Sequence, residues 1–332
     1  MKAAVLHGVK DIRIEERPDP GVPAAHQVKV RIKSVGICGS DVHYFAHGRI
    51  GQFVVERPMI LGHEAAGIVE SVGAEVAAIS VGDVVALEPG IPCGTCELCR
   101  KGKYNLCDRV SFFATPPVDG ALVDSVLHPE GFVYRAPAGM GADIACLAEP
   151  ASVAVQAVRQ AGIKIGERAL VIGAGPIGIL TALMAEYAGA APALIDINEE
   201  RLRFARNMGL EAKRPEEASS SLYDVVFECS GATGTVERAC DLCRSGGVVV
   251  LVGMHQSDVE TIPVSRVIIS ELQIRGVFRY ANTYPAALDF LAKNTERMAP
   301  FFTSFIDVED VPAHFHAVVA GRANELKTIV RI

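Results

Sequence analysis

Short hydrophobic runs separated by glycine, proline and aspartate dominate the first 150 residues. Three of them, at 28–35 (VKVRIKSV), 66–72 (AGIVESV) and 83–87 (DVVAL), have the length and composition of β-strands. This pattern predicts a compact and mostly antiparallel β domain in the N-terminal part of the chain.

The pattern changes near Glu149-Pro150, after which helical and strand-like segments alternate. The predicted strands lie at 169–172, 193–197, 224–228, 248–252, 272–278 and 327–332, and the predicted helices at 151–160, 177–187, 199–208, 236–243 and 284–293. Alternation of this kind is typical of a parallel sheet flanked by helices. The predicted fold class is therefore α/β, with a β domain joined to a doubly wound parallel sheet.

Composition narrows the partners that this protein can have. The length of 332 residues suggests two domains, and the 50% hydrophobic content supplies their cores. A net charge of −7 without a dense Lys/Arg run disfavours nucleic acid or an anionic membrane as a partner. The N-terminus lacks the apolar core of a signal peptide. The apolar stretch 169–195 is interrupted by glycines and Pro176, which predicts a buried strand, turn and helix rather than a membrane span. A soluble, cytoplasmic protein is expected.

A glycine-rich motif joins the predicted strand at 169–172 to the predicted helix at 177–187. Gly173, Gly175 and Gly178 form G-x-G-x-x-G, which allows a tight turn, close approach of a pyrophosphate and close helix–strand packing. Asp196 follows about 20 residues later, where a carboxylate binds ribose hydroxyls and repels a 2′-phosphate. The motif therefore predicts a dinucleotide site that prefers NAD to NADP. The alternative is that Asp196 only caps the following helix.

Nine cysteines without a secretion signal indicate a reducing compartment, in which thiols are free or metal-bound. Cys93, Cys96, Cys99 and Cys107 lie within fifteen residues, at a spacing typical of zinc sites. Four thiolates close a tetrahedral shell, so these residues predict a structural zinc ion, against the alternative of four unrelated thiols. Cys240 and Cys243 fall in a helical pattern, and we expect both thiols on one helix face in the core.

A second set of ligand-type residues, Cys38, His63, Glu64 and Glu149, is spread along the chain, and taken singly each residue also fits a structural role. Their local sequences are more specific. Residues 38–43 (CGSDVH), together with Gly62-His63-Glu64-x2-Gly67-x5-Gly73, closely resemble the zinc-dependent medium-chain alcohol dehydrogenases, and the resemblance covers essentially the whole chain. Within that family, residues 41–51 (DVHYFAHGRIG), 113–120 (FATPPVDG), Glu149-Pro150 and 277–280 (VFRY) resemble sorbitol and xylitol dehydrogenases.

The resemblance implies a GroES-like catalytic domain at 1–151 and 279–332 and a Rossmann NAD-binding domain at 152–278. It implies Cys38, His63 and Glu64 as ligands of a catalytic zinc, with Glu149 acting there through a water molecule; which glutamate binds zinc directly stays open. Two zinc ions per chain and NAD are the expected cofactors, and a homo-oligomer, dimer or tetramer, is the expected assembly.

The resemblance also assigns roles to further residues. Zinc would lower the pKa of the substrate hydroxyl, the nicotinamide would accept the hydride, and Ser40 and His43 would relay the proton. The implied cofactor residues are Gly173, Gly175, Pro176, Ile177, Gly178, Asp196, Arg201, Val252, Gly253, Met254, Val277 and Phe278. The implied substrate residues are Tyr44, Phe113, Glu149, Arg279 and Tyr280. Tyr44 and Phe113 equally fit aromatic packing in the wall of a groove.

The function expected from these features is NAD-linked oxidation of a secondary alcohol of a polyol to a ketose. The alternatives within the family are an L-idonate 5-dehydrogenase, in which Arg279 would bind a sugar acid, or a threonine or simple alcohol dehydrogenase. A non-catalytic dinucleotide-binding structural protein is a further alternative. The intact set Cys38, His63 and Glu64 weighs against it, because a structural protein has no need of an open metal site.

Overall fold

The chain folds into two compact units in this computed structural model, which describes residues 1–220, 222–255, 259–322 and 325–332. The first unit comprises Met1–Glu149, Leu291–Thr295 and Phe302–Ile332, and the second comprises Pro150–Phe290 and Glu296–Phe301. The first unit therefore takes its residues from both ends of the chain. Among the residues described, no helix combines the length and the apolar character needed to cross a bilayer.

The elements follow one another in three groups along the chain. The first group is β1 (Lys2–Gly8), β2 (Asp11–Glu16), β3 (Gln27–Gly36), α1 (Gly39–His47), β4 (Arg49–Ile50), β5 (Phe53–Val54), β6 (Met59–Ile60), β7 (Glu64–Val72), β8 (Val84–Leu87), β9 (Gly90–Ile91), α2 (Glu97–Arg100), β10 (Ser111–Phe112), β11 (Ser125–Pro129), β12 (Val133–Arg135) and α3 (Ala142–Ala145). The second is α4 (Ala148–Ala161), β13 (Arg168–Ile172), α5 (Pro176–Tyr187), β14 (Ala191–Ile195), α6 (Glu199–Asn207), β15 (Glu211–Lys213), β16 (Tyr223–Glu228), α7 (Thr235–Leu242), β17 (Cys243–Leu251), α8 (Val264–Ile269) and β18 (Gln273–Gly276). The third is α9 (Tyr284–Lys293), β19 (Ser304–Asp307), α10 (Val311–Val319) and β20 (Thr328–Arg331).

The first unit is built on a seven-stranded sheet. Its strand order is β12-β8-β7-β3-β20-β19, with β11 also paired to β3, and every pairing is antiparallel except that of β19 with β20. Val28, Val30 and Ile32 alternate along β3 and are buried, because alternate side chains of a strand point to the same face. The predicted, mostly antiparallel β domain is confirmed.

The second unit contains a six-stranded parallel sheet in the order β15-β14-β13-β16-β17-β18. Counted from β13, this order is 3-2-1-4-5-6, which defines the doubly wound fold that binds dinucleotides. The order reverses between β13 and β16, and in such sheets ligands bind at the carboxyl ends of the strands near this point. The predicted Rossmann architecture is confirmed, and the apolar stretch 169–195 forms β13, α5 and β14 as expected.

One local prediction about the cysteines is wrong. Helix α7 ends at Leu242, and Cys243 is the first residue of β17, so Cys240 and Cys243 do not share a helix face. Both thiols are nevertheless buried in the core of the second unit, as predicted. The strand begins earlier than the sequence pattern indicated, because Tyr223 on β16 pairs with Cys243 ahead of the glycines at 246 and 247.

Candidate metal and cofactor sites

Four thiols form a compact cluster in the first unit. The ligand atoms of Cys93, Cys96, Cys99 and Cys107 all lie within 4.8 Å of one another. The Sγ of Cys99 is 3.9 Å from that of Cys93 and 3.4 Å from that of Cys96. A tetrahedron of sulfurs around zinc has edges of about 3.8 Å, whereas a disulfide requires about 2.05 Å. The cysteines are unpaired, and the donor set fits a closed zinc shell.

The surroundings of this cluster stabilise negative charge on Cys93. Arg109 Nη2 donates to the Sγ of Cys93 at 3.2 Å, and the hydroxyl of Thr95 donates to it at 3.6 Å. Hydrogen bonds from the backbone and hydroxyl of Thr95 lower the pKa of Cys93 to about 5, whereas burial and hydrogen bonds with the neighbouring thiols raise the pKa of Cys99 to about 12. Because only the thiolate binds a metal ion, this lowered pKa favours metal binding at neutral pH.

A second cluster combines three kinds of ligand. The ligand atoms of Cys38, His63 and Glu64 lie within 4.8 Å of one another, where Cys38 precedes α1 and Glu64 begins β7. Thiolate, imidazole and carboxylate are all zinc ligands, and three protein ligands leave a position open for substrate. His63 is buried and Glu64 is only 1% exposed, so water competes little with a metal ion for these two ligands. The residues present therefore fit a catalytic zinc ion.

Asp41 orients this cluster and was not singled out by the sequence analysis. Its Oδ1 lies 3.6 Å from Nδ1 of His63, and its carboxylate accepts the backbone N–H groups of Cys38 and Gly62 at 3.1 Å each. With Nδ1 turned to Asp41, the Nε2 of His63 is left for the metal ion. Burial lowers the pKa of His63, but Asp41 and Cys38 together raise it well above its usual value. The only sequence signal was the position of Asp41 inside CGSDVH.

Lys327 is the second residue that the sequence analysis did not identify. It is 3% exposed, forms an ion pair with Oε2 of Glu64, and donates to the backbone oxygen of Ile37 at 3.0 Å. Burial lowers the pKa of Lys327, but the charge of Glu64 outweighs this and raises it. The lysine precedes β20, and the pairing of Ile329 with Gly36 on β3 brings it to the cluster. Because Lys327 is distant in sequence from Cys38, His63 and Glu64, no short sequence pattern indicated that it lies beside them.

The residues expected to act beside the metal are placed on two helices. Glu149 is buried in the first turn of α4, and among the described residues it is not part of the group formed by Cys38, His63 and Glu64. Ser40 and His43 lie on α1, which starts directly after Cys38. His43 is exposed, and burial and the neighbouring His47, whose ring is 4.6 Å away, lower the pKa of His43. At neutral pH this imidazole is therefore able to accept a proton.

The glycine-rich turn of the second unit has the geometry of a phosphate cradle. Gly173 has a positive φ of 101°, and a Cβ at Gly178 would lie 1.8 Å from the carbonyl oxygen of Gly173, so no side chain fits there. Helix α5 starts at Pro176 without a side-chain cap, whereas a Cβ at Gly175 would meet no protein atom within 4 Å. Backbone N–H groups at the start of a helix that face open space suit a pyrophosphate. Ile177 follows Pro176 in the first turn of α5.

Asp196 is joined to the glycine-rich turn. It follows β14, its Oδ2 accepts the N–H of Ala174 at 2.6 Å, and its Oδ1 accepts the N–H of Asn198 at 2.7 Å. Helix α6 is capped by Asn198, whose side chain accepts the N–H groups of Glu200 and Arg201. The alternative interpretation, in which Asp196 only caps this helix, is therefore wrong. Arg201 is exposed in the first turn of α6.

The loops expected to contact the nicotinamide follow β17 and β18. The N–H groups of Val252 and Gly253 donate to the carbonyl oxygen of Glu228 at 2.8 and 2.9 Å, and Met254 is exposed. Val277 donates to the carbonyl of Leu251, and Phe278 is half-exposed. Since the sheet is parallel, these loops share its carboxyl edge with the glycine-rich turn.

The expected substrate residues are divided between the units. In the first unit, Tyr44 is 4% exposed within the core, which favours packing, while Phe113 is half-buried and its ring lies 4.9 Å from His128. In the second unit, the guanidinium of Arg279 lies 4.9 Å from the centre of the Phe278 ring, and Arg279 has a positive φ of 53°. Tyr280 is buried against Tyr284 at 5.8 Å. Their roles in substrate binding stay predictions.

Comparison with known proteins identifies the family. The model of the alcohol dehydrogenase GroES-like domain matches residues 24–138, and that of the zinc-binding dehydrogenase domain matches residues 176–293. D-xylulose reductase A of Aspergillus oryzae is 39% identical, over 98% of this chain and 95% of its own. This chain belongs to the zinc-dependent medium-chain alcohol dehydrogenases.

Two further proteins support this assignment. Sorbitol dehydrogenase of Macaca fascicularis is 40% identical to this family member, over 96% of this chain and 92% of its own. The structure of L-idonate 5-dehydrogenase from Escherichia coli str. K-12 substr. MG1655 superposes with a TM-score of 0.92 at 29% identity, and covers 100% of this chain and 98% of its own. The chain is therefore an alcohol dehydrogenase whose family uses zinc and a nicotinamide cofactor, which supports the enzymatic interpretation over a structural protein.

Proposed function

We propose that this dehydrogenase oxidises a secondary hydroxyl of a five- or six-carbon polyol to a ketose, with NAD as the hydride acceptor. The observation that carries the proposal is the cluster of Cys38, His63 and Glu64, in a chain similar to a D-xylulose reductase and a sorbitol dehydrogenase over nearly its whole length. The carboxylate of Glu64 in this cluster is a hydrogen-bond acceptor and a metal ligand, both of which suit a hydroxylated substrate.

Different residues would bind the metal ion, orient its ligands and transfer the proton. Cys38, His63 and Glu64 would hold zinc, and Asp41 would fix the ring of His63. When bound, zinc would act as a Lewis acid toward the substrate hydroxyl, and the nicotinamide ring would take the hydride. The hydroxyl proton leaves separately: Ser40 would pass it on, and exposed His43, with its lowered pKa, would accept it and release it to solvent.

Two zinc ions per chain are part of the proposal. The three-ligand cluster leaves one position open for chemistry, whereas the four thiols close their shell and serve stability. Metal analysis of the purified zinc-replete enzyme tests this stoichiometry, and one zinc ion or fewer per chain would contradict it. Glu64 is the direct ligand in this proposal, and Glu149 acts on substrate or water.

The preferred substrate is tested by a turnover panel. Arg279 and Tyr280 would donate to successive hydroxyls, and a site built for hydroxyls rejects analogues that lack them. We expect kcat/KM to be highest for sorbitol or xylitol, lower for L-idonate and L-threonine, and lowest for propan-2-ol. Arg279→Ala is expected to weaken polyol turnover by about 10-fold or more, while Arg203→Ala, at an exposed position of α6, serves as the matched control.

L-Idonate 5-dehydrogenase activity is the second candidate, because the solved structure of that enzyme superposes along the whole chain. Arg279 would then bind the substrate carboxylate bidentately. L-Idonate leading the panel by orders of magnitude would favour this candidate, and propan-2-ol matching the polyols would contradict both.

A strong preference for NAD is expected from Asp196. Its carboxylate stands beside the glycine-rich turn and would accept hydrogen bonds from the ribose hydroxyls while repelling a 2′-phosphate. Asp196→Ala is expected to weaken NAD binding and to reduce the NAD/NADP discrimination in kcat/KM by about 1–3 kcal/mol. Because Asp196 also accepts the N–H of Ala174, thermal stability is measured in parallel. A wild-type enzyme that uses NADP as well as NAD would contradict the predicted role of Asp196.

A homo-oligomer formed by a second copy of this chain completes the proposal. Strand β18 is the last strand of the described parallel sheet, and the preceding α8 carries exposed Val264, Ile268 and Ile269. An edge strand beside exposed apolar side chains favours association. We expect light scattering to give a dimer or tetramer for the wild type and a smaller assembly for Ile268→Glu.

A further inference from the structure

A buried carboxylate, Glu88, lies directly after β8 and is 1% exposed. Its Oε1 accepts the hydroxyl of Tyr104 at 2.7 Å, and its Oε2 accepts the hydroxyl of Tyr134 at 2.8 Å. Burial raises the pKa of Glu88, and these two hydrogen bonds lower it. No lysine, arginine or histidine in the described parts of the chain forms an ion pair with this carboxylate. A buried charge without a counter-charge is costly, so the ionised carboxylate depends on both hydroxyls.

The two hydroxyls belong to different parts of the first unit. Tyr104 lies between Cys99 and Cys107 of the four-thiol cluster, and its carbonyl oxygen accepts the N–H of Cys107 at 3.0 Å. Tyr134 lies on β12, which pairs with β8 in the seven-stranded sheet. A zinc ion held by the four thiols would fix the chain on both sides of Tyr104. Glu88 therefore ties the zinc-binding segment to the sheet.

The residues that follow Glu88 in the chain lead to the catalytic cluster. Gly90 pairs with Phe112 across strands β9 and β10, and a Cβ on Gly90 would lie 3.1 Å from the ring of Phe112. The centre of the Phe112 ring lies 5.8 Å from that of His63, and Phe112 is buried. A shift of the segment after β8 would therefore move the ring that packs against a zinc ligand, because a close-packed interior transmits strain.

We propose that Glu88 is a positioning residue for the catalytic zinc site: through Tyr104 it transmits the order of the four-thiol cluster to Phe112, and so to the ring of His63. Without the hydroxyl of Tyr104, or without an ion in the four-thiol cluster, the segment after β8 loses one of its two anchors. The packing against His63 then loosens, and the catalytic ion dissociates faster. The proposal rests on the two zinc ions proposed above.

Zinc release from the full-length, zinc-loaded enzyme to a colorimetric chelator tests this connection. The two ions are distinguished because Cys38→Ala should lack the catalytic phase of release and Cys96→Ser the other phase. We expect Tyr104→Phe to release the catalytic ion about 3- to 10-fold faster than the wild type, since part of the loss of one hydrogen bond to a charged group reaches the second site. The phenyl ring can keep the contact of Tyr104 with Phe132, whose ring centre is 6.0 Å away, so this variant should fold.

The matched control is Tyr134→Phe, which removes a hydroxyl from the same carboxylate but leaves the contact with Tyr104 in place. It should release the catalytic ion at the wild-type rate, whereas a merely structural role of Glu88 predicts equal acceleration in both phenylalanine variants. Cys96→Ser should also accelerate this release, and adding Tyr104→Phe to it should give no further increase, because both changes interrupt one connection. A wild-type rate in Tyr104→Phe, equal acceleration in Tyr134→Phe, or independent effects in the double variant would contradict the proposal.

Hydrogen–deuterium exchange of the same preparations tests the connection without reference to the catalytic ion. The N–H of Phe113 donates to the carbonyl oxygen of Pro89 at 3.1 Å, so exchange in residues 110–113 reports on the segment that follows Glu88. We expect exchange about 3- to 10-fold faster in Tyr104→Phe and unchanged in Tyr134→Phe. Equal exchange in the wild type and Tyr104→Phe would overturn the proposal. If exchange is as expected but the four thiols hold no zinc, the two-zinc proposal fails while the connection through Glu88 stands.

Discussion

Cys38→Ala is expected to remove the catalytic zinc and to lower kcat by about 1,000-fold or more. Cys38 supplies one of three ligand atoms, and the remaining imidazole and carboxylate of His63 and Glu64 are too few to hold zinc tightly. Lewis-acid activation of a hydroxyl contributes several kcal/mol, and each 1.36 kcal/mol corresponds to about a tenfold change in rate. Steady-state turnover and zinc content, measured on the same preparation, check this expectation.

Two other cysteines provide matched controls for Cys38. Cys96→Ser should lose the other zinc ion and unfold at lower temperature, because metal binding to the four-thiol cluster stabilises the folded state. Cys146→Ala removes a buried thiol that donates to the backbone oxygen of Asp143, and it should keep both zinc ions and most of the activity. Full zinc content and an undiminished kcat in Cys38→Ala would show that the metal is held elsewhere.

Lys327→Met is expected to lower the free energy of unfolding of the zinc-free enzyme by about 3–5 kcal/mol. The substitution removes the cation of a buried ion pair and leaves the carboxylate of Glu64 without it, in a place that water does not reach. The loss should be smaller in the zinc-loaded enzyme, because the metal ion then offers Glu64 another positive charge. Because the chain has no tryptophan, urea unfolding is followed by far-ultraviolet circular dichroism. It measures the difference in free energy of unfolding between wild type and Lys327→Met.

The control for Lys327 is a lysine whose ion pair is exposed. Lys2 pairs with Glu309 at 2.5 Å on the surface of the first unit, and Lys2→Met should unfold with the wild-type midpoint. Adding Glu64→Gln to Lys327→Met should recover part of the lost stability, since it removes the isolated charge. An unchanged midpoint for Lys327→Met would mean that the Glu64–Lys327 pair makes no net contribution.

Much of the fold could be predicted from local patterns in the amino-acid sequence. The strand-like run at 28–35 lies within β3 (Gln27–Gly36), and the helix predicted at 284–293 has the observed bounds. The alternation of strand-like and helical segments after residue 150 indicated the parallel sheet, whose observed order is that of a dinucleotide-binding fold. These features depend on residues close together in the chain, so a short window of sequence contains them.

The candidate sites could be predicted only in part from the amino-acid sequence. The four thiols are near neighbours in sequence, and their spacing alone indicated a zinc shell. Cys38, His63 and Glu149 carried no such spacing, and the interpretation of that set depended on a family resemblance. Tyr44 shows the limit of such an inference: an aromatic side chain in a helix fits both substrate contact and packing, and its burial in the core is a property of the folded chain.

The sequence by itself determined the two kinds of sheet, the glycine-rich turn and the residue types able to bind zinc, because period, turn chemistry and ligand spacing are local. The tertiary structure decided which charges meet. Lys327 reaches Glu64 only because β20 pairs with β3, and His255 faces Glu228 only because β16 and β17 are neighbours in the sheet. Neither contact has a local signature, since strand pairing between distant segments is set by the packing of the whole unit.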